Sequence, residues 1–411
     1  MNSRRVPDMQ ATPQKRRCAC PIAAVQTILE SATAYRLLAD SLLHRKCVND
    51  VSGVKILFLA GSLEPGRDGV GDYTRTLATE CARLGHDTLL LSLNDPWVHG
   101  PRLEPAVLRL GSKMSWPDRV KTARAFLNAN GAEIVSLQFV PYSFHRAGLN
   151  FALPQILSAI IGQTRVQVMF HELWVGAQTG APAKVKVLGF CQRKIIQAVV
   201  KTLACRTIHA SNCVYVQLLA RHGINATRLS LFGSVPVIHT DNLPRQSDDI
   251  LRLGIFGSIH PEWSPDEMLA KLQKLGKQIQ LSHIGRIGPG ESVWMDLTER
   301  YGLEVELRRL GEQSLDSISQ FFSSIDFGVA TTPLSLIGKS ASVAAILDHG
   351  LPVIVNRNDV HFRGITDTGP SSDLLIPVDE MFLERLTTVK RQAPQARLPE
   401  VAARFLNDIG A

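Results

Sequence analysis

Residues 326–359 read DFGVATTPLSLIGKSASVAAILDHGLPVIVNRND, and this stretch decides the fold. Asp326 to Thr331 has the composition of a buried strand. Gly338-Lys339-Ser340 opens a helix in which Val343, Ala344, Ile346 and Leu347 follow helical spacing. His349-Gly350 ends it, and glycine suits the left-handed residue beyond a helix C-terminus. Leu351 to Val355 is a second buried strand, with Pro352 tolerable near its start. Strand, loop, helix and strand in this order predict a parallel pair joined by a right-handed crossover. The loop lies at the carboxyl end of a strand, where open α/β sheets bind ligands. Free N–H groups and the helix dipole favour an anion there, Lys339 adds a positive charge, and a nucleotide diphosphate is the expected occupant. A P-loop is not expected, because Pro333 stands where its first glycine belongs.

The same alternation runs outward in both directions. Val54 to Ala60 is a continuous apolar strand, as in a sheet covered on both faces. A loop rich in glycine and charge, Gly61 to Asp72, follows it, and Tyr73 to Leu84 reads as a helix. Gly66, Gly69 and Gly71 lack the dinucleotide-binding spacing, so no NAD site is read there; they let a ligand approach the backbone or simply form a surface loop. Further strands are expected at Thr88–Leu93, Ala106–Leu110, Glu133–Val140, Val166–Phe170 and Thr207–Ala210. Helices are expected at Trp116–Asn130, Ala181–Ala204 and Val214–His222, and Leu229 to Val235 closes this half. The polar segment Thr240–Asp249 is the best domain boundary. Beyond it the pattern restarts, with strands at Leu251–Phe256, Ile279–Ile284, Val305–Leu310 and Leu374–Val378. Helices fall at Met268–Leu275, Ser292–Tyr301 and Leu315–Ser324, and closing helices at Met381–Val389 and Pro399–Ile409. The whole is a doubly wound α/β chain of two Rossmann-like sheets in tandem, residues 51–240 and 251–380, with 241–250 between them and 381–411 closing.

Composition narrows the class. The 411 residues are 45% hydrophobic and 20% charged, which fits a globular chain with more than one core. The formal charge of +8 suits an anionic substrate, an acidic membrane surface or nucleic acid. Aromatic residues are only 6% and no aromatic run is interleaved with basic residues, so a single-strand nucleic-acid platform is poorly supported and nucleic acid is not an expected partner. The seven cysteines are odd in number and form no CxxC pair, so neither a disulfide framework nor a zinc site is expected, and a reducing, cytoplasmic setting is. No apolar run is long enough to span a bilayer; residues 151–162 come nearest and contain Pro154. Residues 1–50, with Arg4, Arg5, Lys15, Arg16 and Arg17, read as a basic extension, partly disordered, with an amphipathic stretch at Ile22–Leu43.

Two such sheets facing a cleft resemble the GT-B fold of glycosyltransferases, and the motifs resemble the glycogen-synthase-like group. The opening KILFLAGSLEPGRDGVGDYTRTLATECARLGHDTLLLS is similar to that family's Gly-rich loop, Tyr-x3-Leu-Ala helix and Gly-His turn, here Tyr73, Leu77, Ala78, Gly85 and His86. GIFGSI and HIGRIG resemble the first strand–loop units of its nucleotide-binding half, and TTPLSLIGKSASVAAILDHGLPVI its donor diphosphate segment. The resemblance implies metal-independent transfer of a sugar from a nucleotide-sugar donor, which is substrate rather than cofactor. The acceptor is a glycan, a glycolipid or a small molecule, with peripheral contact at the inner membrane face.

On that resemblance Lys339, Ser340, Gly338, Arg286, Gly257 and Ser258 hold the diphosphate. His171 and Glu172 stand at a strand end in the acceptor-side half, where His171 hydrogen-bonds the reacting sugar or relays a proton. Asp72 positions an acceptor hydroxyl or caps the helix beginning at Tyr73, and Gly69, Gly71 and Tyr73 form the acceptor-side loop. One departure stands out. The group's Glu-x7-Glu pair aligns on Ile337 and Ala345, so both carboxylates are missing. A sugar-nucleotide epimerase and a GT-B-like binding protein without turnover therefore stay open beside transfer.

Overall fold

The computed structural model describes residues 53–238, 249–365 and 372–411. The basic extension, the Thr240–Asp249 boundary except its last residue, and Cys18, Cys20 and Cys47 lie outside the described residues.

The first half is an eight-stranded sheet in the order β3-β4-β2-β1-β5-β6-β7-β8. Its strands are β1 (Lys55–Ala60), β2 (Asp87–Asp95), β3 (Pro101–Glu104), β4 (Val107–Gly111), β5 (Ile134–Phe139), β6 (Arg165–Phe170), β7 (Thr207–Ala210) and β8 (Thr227–Arg228). All pairs are parallel except β3 with β4. Five of the six residues of β1 and all six of β5 are buried, as expected of strands covered on both faces. The helices of this half are α1 (Gly69–Arg83), α2 (Trp116–Asn130), α3 (Leu153–Ile161), α4 (Ala183–Thr202) and α5 (Cys213–Ala220). One apolar cluster fills the face under α2–α5 and includes Leu57, Leu137, Leu157, Phe170 and Ile196. The other face packs Phe58, Leu77 and Met169 against Ala402, Phe405 and Ile409.

Those last three residues belong to the chain's final helix, so the C-terminus returns to the first sheet. The second sheet is all parallel, with six strands in the order β11-β10-β9-β12-β13-β14. They are β9 (Ile250–Phe256), β10 (Gln278–Ile284), β11 (Val305–Gly311), β12 (Phe327–Ala330), β13 (Val353–Val355) and β14 (Leu375–Pro377). Their helices are α6 (Asp266–Leu272), α7 (Glu291–Tyr301), α8 (Leu315–Ser324), α9 (Ala341–Asp348) and α10 (Phe382–Thr388), and α11 (Leu398–Ile409) is the returning helix. Among the described residues no helix is long and apolar enough to cross a membrane.

Several elements depart from expectation. β3, α3 and a short 3-10 turn at Pro141–Ser143 carried no clear period. Residues 229–235 close this half without forming a strand: Thr227–Arg228 pairs with β7, and Leu229, Leu231, Phe232 and Val235 are buried without regular pairing. α1 starts four residues before Tyr73. Asp68 is its cap, in extended conformation, with its carboxylate accepting from Val70 N–H. Gly69, Gly71 and Tyr73 are therefore helical rather than part of the loop. Gly71 is required in that first turn, since a Cβ there would lie 2.9 Å from the Ser62 carbonyl.

Candidate functional site

In each sheet the strand order reverses beside the first strand, at β1 in one and β9 in the other. The loops leaving β1, β9, β10 and β12 gather at these switch points, the usual ligand crevice of open α/β sheets.

On the second sheet, Gly257 follows β9 with φ +80°, and a Cβ there would meet Ser342 Oγ at 2.8 Å. Its carbonyl accepts from His283 Nε2 at 2.8 Å, and the Ser258 carbonyl accepts from Thr331 Oγ1 at 3.3 Å. These bonds tie the β9 loop to β10 and to the end of β12. The decisive stretch folds differently from its expectation at one point. Gly338 and Lys339 end a 3-10 turn, Leu334–Lys339, instead of opening the helix. Ser340 is the cap, its Oγ accepting from Val343 N–H at 3.3 Å, and α9 begins at Ala341. Serine is the best cap available there, so the helix starts after it.

Lys339 Nζ lies 3.5 Å from Glu172 Oε1. Tyr215 and Glu172 beside it hold the ammonium pKa above its ordinary value, against the opposing effect of burial. Arg286, at the end of β10, donates from Nη2 to the Gly66 carbonyl, and its Nε lies 3.6 Å from Glu312 Oε1. Gly66 is gripped from both sides, because its N–H donates to Asp72 Oδ1 at 2.9 Å. Burial is the main reason the Asp72 carboxyl titrates above its ordinary range. Both cations thus reach from the second half to acceptors on the first.

His171 follows β6, is 6% exposed, and stands edge-on to the Tyr73 ring at 4.8 Å. Its Nε2 is 2.8 Å from Gln138 Oε1. Burial pushes its pKa down to about 3, so the imidazole is neutral at ordinary pH. Tyr73 itself stacks on Phe232 at 4.5 Å, and its hydroxyl is buried with no partner.

Two clusters escaped the sequence reading. Arg109, on β4, is buried; its Nε donates to Asp95 Oδ2 at 2.8 Å and its Nη2 pairs with Glu64. Asp95 Oδ2 also accepts from Leu63 N–H at 3.1 Å, so the pair anchors the loop after β1. The only advance signal was a charge inside each of two apolar strands. Arg357, beyond β13, is also buried and contacts His260 Nδ1 at 2.8 Å, Asp359 Oδ2 at 2.6 Å and Glu262 Oε2 at 3.1 Å. The aligned carboxylate positions are apolar and enclosed: Ile337 is 1% exposed and Ala345 fully buried. A Glu at either site would need the local core to open.

No family model matches the chain, and no curated protein matches its sequence. Solved structures do. Sucrose-phosphate synthase from Thermosynechococcus elongatus superposes with a TM-score of 0.55 at 13% identity, over 86% of this chain and 94% of that one. A protein described as a UDP-N-acetylglucosamine 2-epimerase, from Listeria monocytogenes, gives 0.53 at 11% identity, over 87% and 96%. The catalytic domain of starch synthase IV from Arabidopsis thaliana, bound to ADP and acarbose, gives 0.51 at 11%, over 87% and 99%. The chain has the GT-B fold: two Rossmann-like, mostly parallel sheets with their strand ends at a common cleft.

Proposed function

We propose that the protein is a glycosyltransferase that moves a sugar from a nucleotide-sugar donor to a glycan, lipid-linked or small-molecule acceptor. The observation that carries this reading is the placement of Lys339 and Arg286. Both stand on switch-point loops of the second sheet and extend to the first. Breaking a sugar–phosphate bond builds negative charge on the departing diphosphate, and fixed cations stabilise it without metal. Gly257, Ser258, Gly338 and Ser340 line the same loops; the Gly257 and Ser340 N–H groups already donate to the Ile284 and Ile337 carbonyls, so the Ser258 and Ser340 hydroxyls are the donors offered to a phosphate. His171, neutral at working pH, accepts or donates a hydrogen bond to a sugar hydroxyl and carries no net charge into the step. Glu172, paired with Lys339, and Asp72, which accepts from Gly66 N–H, are the acceptor-side groups of this reading.

A surface of the first half favours an acceptor at a membrane, on the cytoplasmic face. Phe151, Val187 and Phe190 are exposed there, and Arg193 and Lys194 lie 5.3 and 5.5 Å from the Phe190 ring. Lys184 and Lys186 share that helix. Exposed aromatics among basic residues suit an anionic interface.

A second reading rests on the enclosed Ile337 and Ala345. Without carboxylates at those places, a sugar-nucleotide epimerase or a nucleotide-binding protein without turnover remains in contention.

The test is thermal unfolding with UDP, GDP, ADP, CDP and their sugar conjugates, followed by product analysis across an acceptor panel. Saturation at about 100 times Kd stabilises a protein by roughly 2.7 kcal/mol. A shift with one nucleotide family, lost in Lys339→Ala, supports the donor site. Donor turnover without acceptor favours epimerisation, and binding without turnover favours the silent protein. No shift with any nucleotide overturns the donor-site reading.

A further inference from the structure

The face of the first sheet that packs against α1 and α11 is not wholly apolar. Ser136 and Gln138 on β5, Gln167 on β6 and His209 on β7 are at most 1% exposed. Ser136 sits opposite Gln167, and His209 opposite Met169, so these side chains share one face with His171. They form a single file of hydrogen bonds. His171 Nε2 to Gln138 Oε1 is 2.8 Å, Gln138 Nε2 to Ser136 Oγ 2.7 Å, and Ser136 Oγ to Gln167 Oε1 2.6 Å. Gln167 Nε2 to His209 Nδ1 is 3.1 Å, and His209 Nε2 to Asp408 Oδ2 is 3.0 Å. Asp408 lies near the end of α11, far along the chain from the rest.

The chain has one consistent polarity. A carboxylate only accepts, so His209 carries its proton on Nε2 and leaves Nδ1 as an acceptor. Gln167 must then turn its NH2 to His209 and its carbonyl to Ser136. The Ser136 hydroxyl donates to that carbonyl, and its oxygen accepts from the Gln138 amide. The Gln138 carbonyl is left to face His171, which must carry its proton on Nε2. Every donor points toward the anion, an arrangement in which each bond polarises the next. Burial keeps both imidazoles neutral, with His209 also held below its ordinary pKa mainly by desolvation.

We propose that Asp408 is a positioning residue that, through Gln138, Ser136, Gln167 and His209, sets the Nε2–H tautomer of His171 and leaves Nδ1 as its hydrogen-bond acceptor. This deepens the reading of His171 as a group beside the reacting sugar and rests on it for its functional meaning. An Nδ1 acceptor takes a hydroxyl of the sugar; it does not suit a phosphate oxygen, which needs a donor.

The experiment is long-range proton–nitrogen NMR of the full chain labelled at histidine, with His171 and His209 assigned by single His→Gln variants. Both should show the Nε2–H tautomer in the wild type. Asp408→Ala, which removes the acceptor, and separately Ser136→Ala, should each add the Nδ1–H form at His171. Ser136→Ala should leave the His209 signal in place, which separates a cut chain from a disturbed fold. An Nδ1–H His171 in the wild type, or a His171 signal unmoved in a folded variant of either kind, overturns the proposal. The spectra need no substrate, so failure of nucleotide binding or transfer counts against the transferase reading alone. With activity in hand, Asp408→Ala should lower kcat while the Kd for the nucleoside diphosphate holds.

Discussion

Lys339 Nζ stands 3.5 Å from Glu172 Oε1, joining the loop before α9 to the end of β6. One side chain was expected on the donor phosphates and the other at the acceptor; the structure pairs them with each other. Both are partly exposed, so the bond contributes only about 0–1 kcal/mol. A diphosphate arriving at Lys339 must share the ammonium with Glu172 or displace it. Glu172→Gln should therefore tighten binding of the matching nucleoside diphosphate, by up to about tenfold, or roughly 1.4 kcal/mol. Isothermal titration calorimetry reads this directly. Unchanged or weaker binding would place the diphosphate elsewhere.

Much of the scaffold was legible because its signals are local. α2, α8 and β7 have the bounds their patterns predict, the two helices beginning beside Ser115 and Ser314 caps. α1 was read short because glycines at 69 and 71 look like a loop, whereas Asp68 caps the helix and Gly71 is needed against Ser62. Strand ends pointed to His171, Arg286 and Gly257 as site residues. Their partners were not legible, since Glu172–Lys339 and Arg286–Gly66 are contacts between segments far apart in sequence. The polar file from His171 was hidden for another reason. Ser136 and Gln138 alternate with Val135, Leu137 and Phe139, a pattern that ordinarily marks a solvated face. Here α1 and α11 cover that face.

Arg109 holds the loop after β1 from below. It is buried, and Asp95 is fully so. Removing the guanidinium leaves the carboxylate buried without its partner, which costs about 3–5 kcal/mol in such pairs. Arg109→Ala should lower the unfolding free energy by that amount in urea melts. It should also loosen residues 61–68, read as faster amide exchange at Leu63. A loss under about 1 kcal/mol would mean that water reaches Asp95 and replaces the pair.

Stability should fall in acid because of buried neutral histidines. His171 has its pKa lowered from 6.5 to about 3 by burial. Above 6.5 neither folded nor unfolded chain binds a proton there, and the full stability is present. As pH falls below 6.5, the unfolded chain takes up a proton that the folded one refuses, so stability drops by about 1.4 kcal/mol per pH unit until the folded group titrates. His171→Gln should flatten the slope by that amount between about pH 6 and pH 5. An unchanged slope would show that His171 reaches solvent and titrates normally.

Tyr73 separates packing from polarity at the floor of the cleft. Its ring is held between Phe232, stacked at 4.5 Å, and the edge of His171 at 4.8 Å. Its hydroxyl is buried with no partner, and burial raises its pKa. Tyr73→Phe keeps the ring and removes an unsatisfied polar atom, so it should leave stability equal or raise it by about 1–3 kcal/mol. Tyr73→Ala empties the same space and should cost about 3–5 kcal/mol. Thermal and urea melts of the two variants give the comparison. If Tyr73→Phe were instead destabilising, the hydroxyl would have a hydrogen-bond partner in solution, such as a bound water.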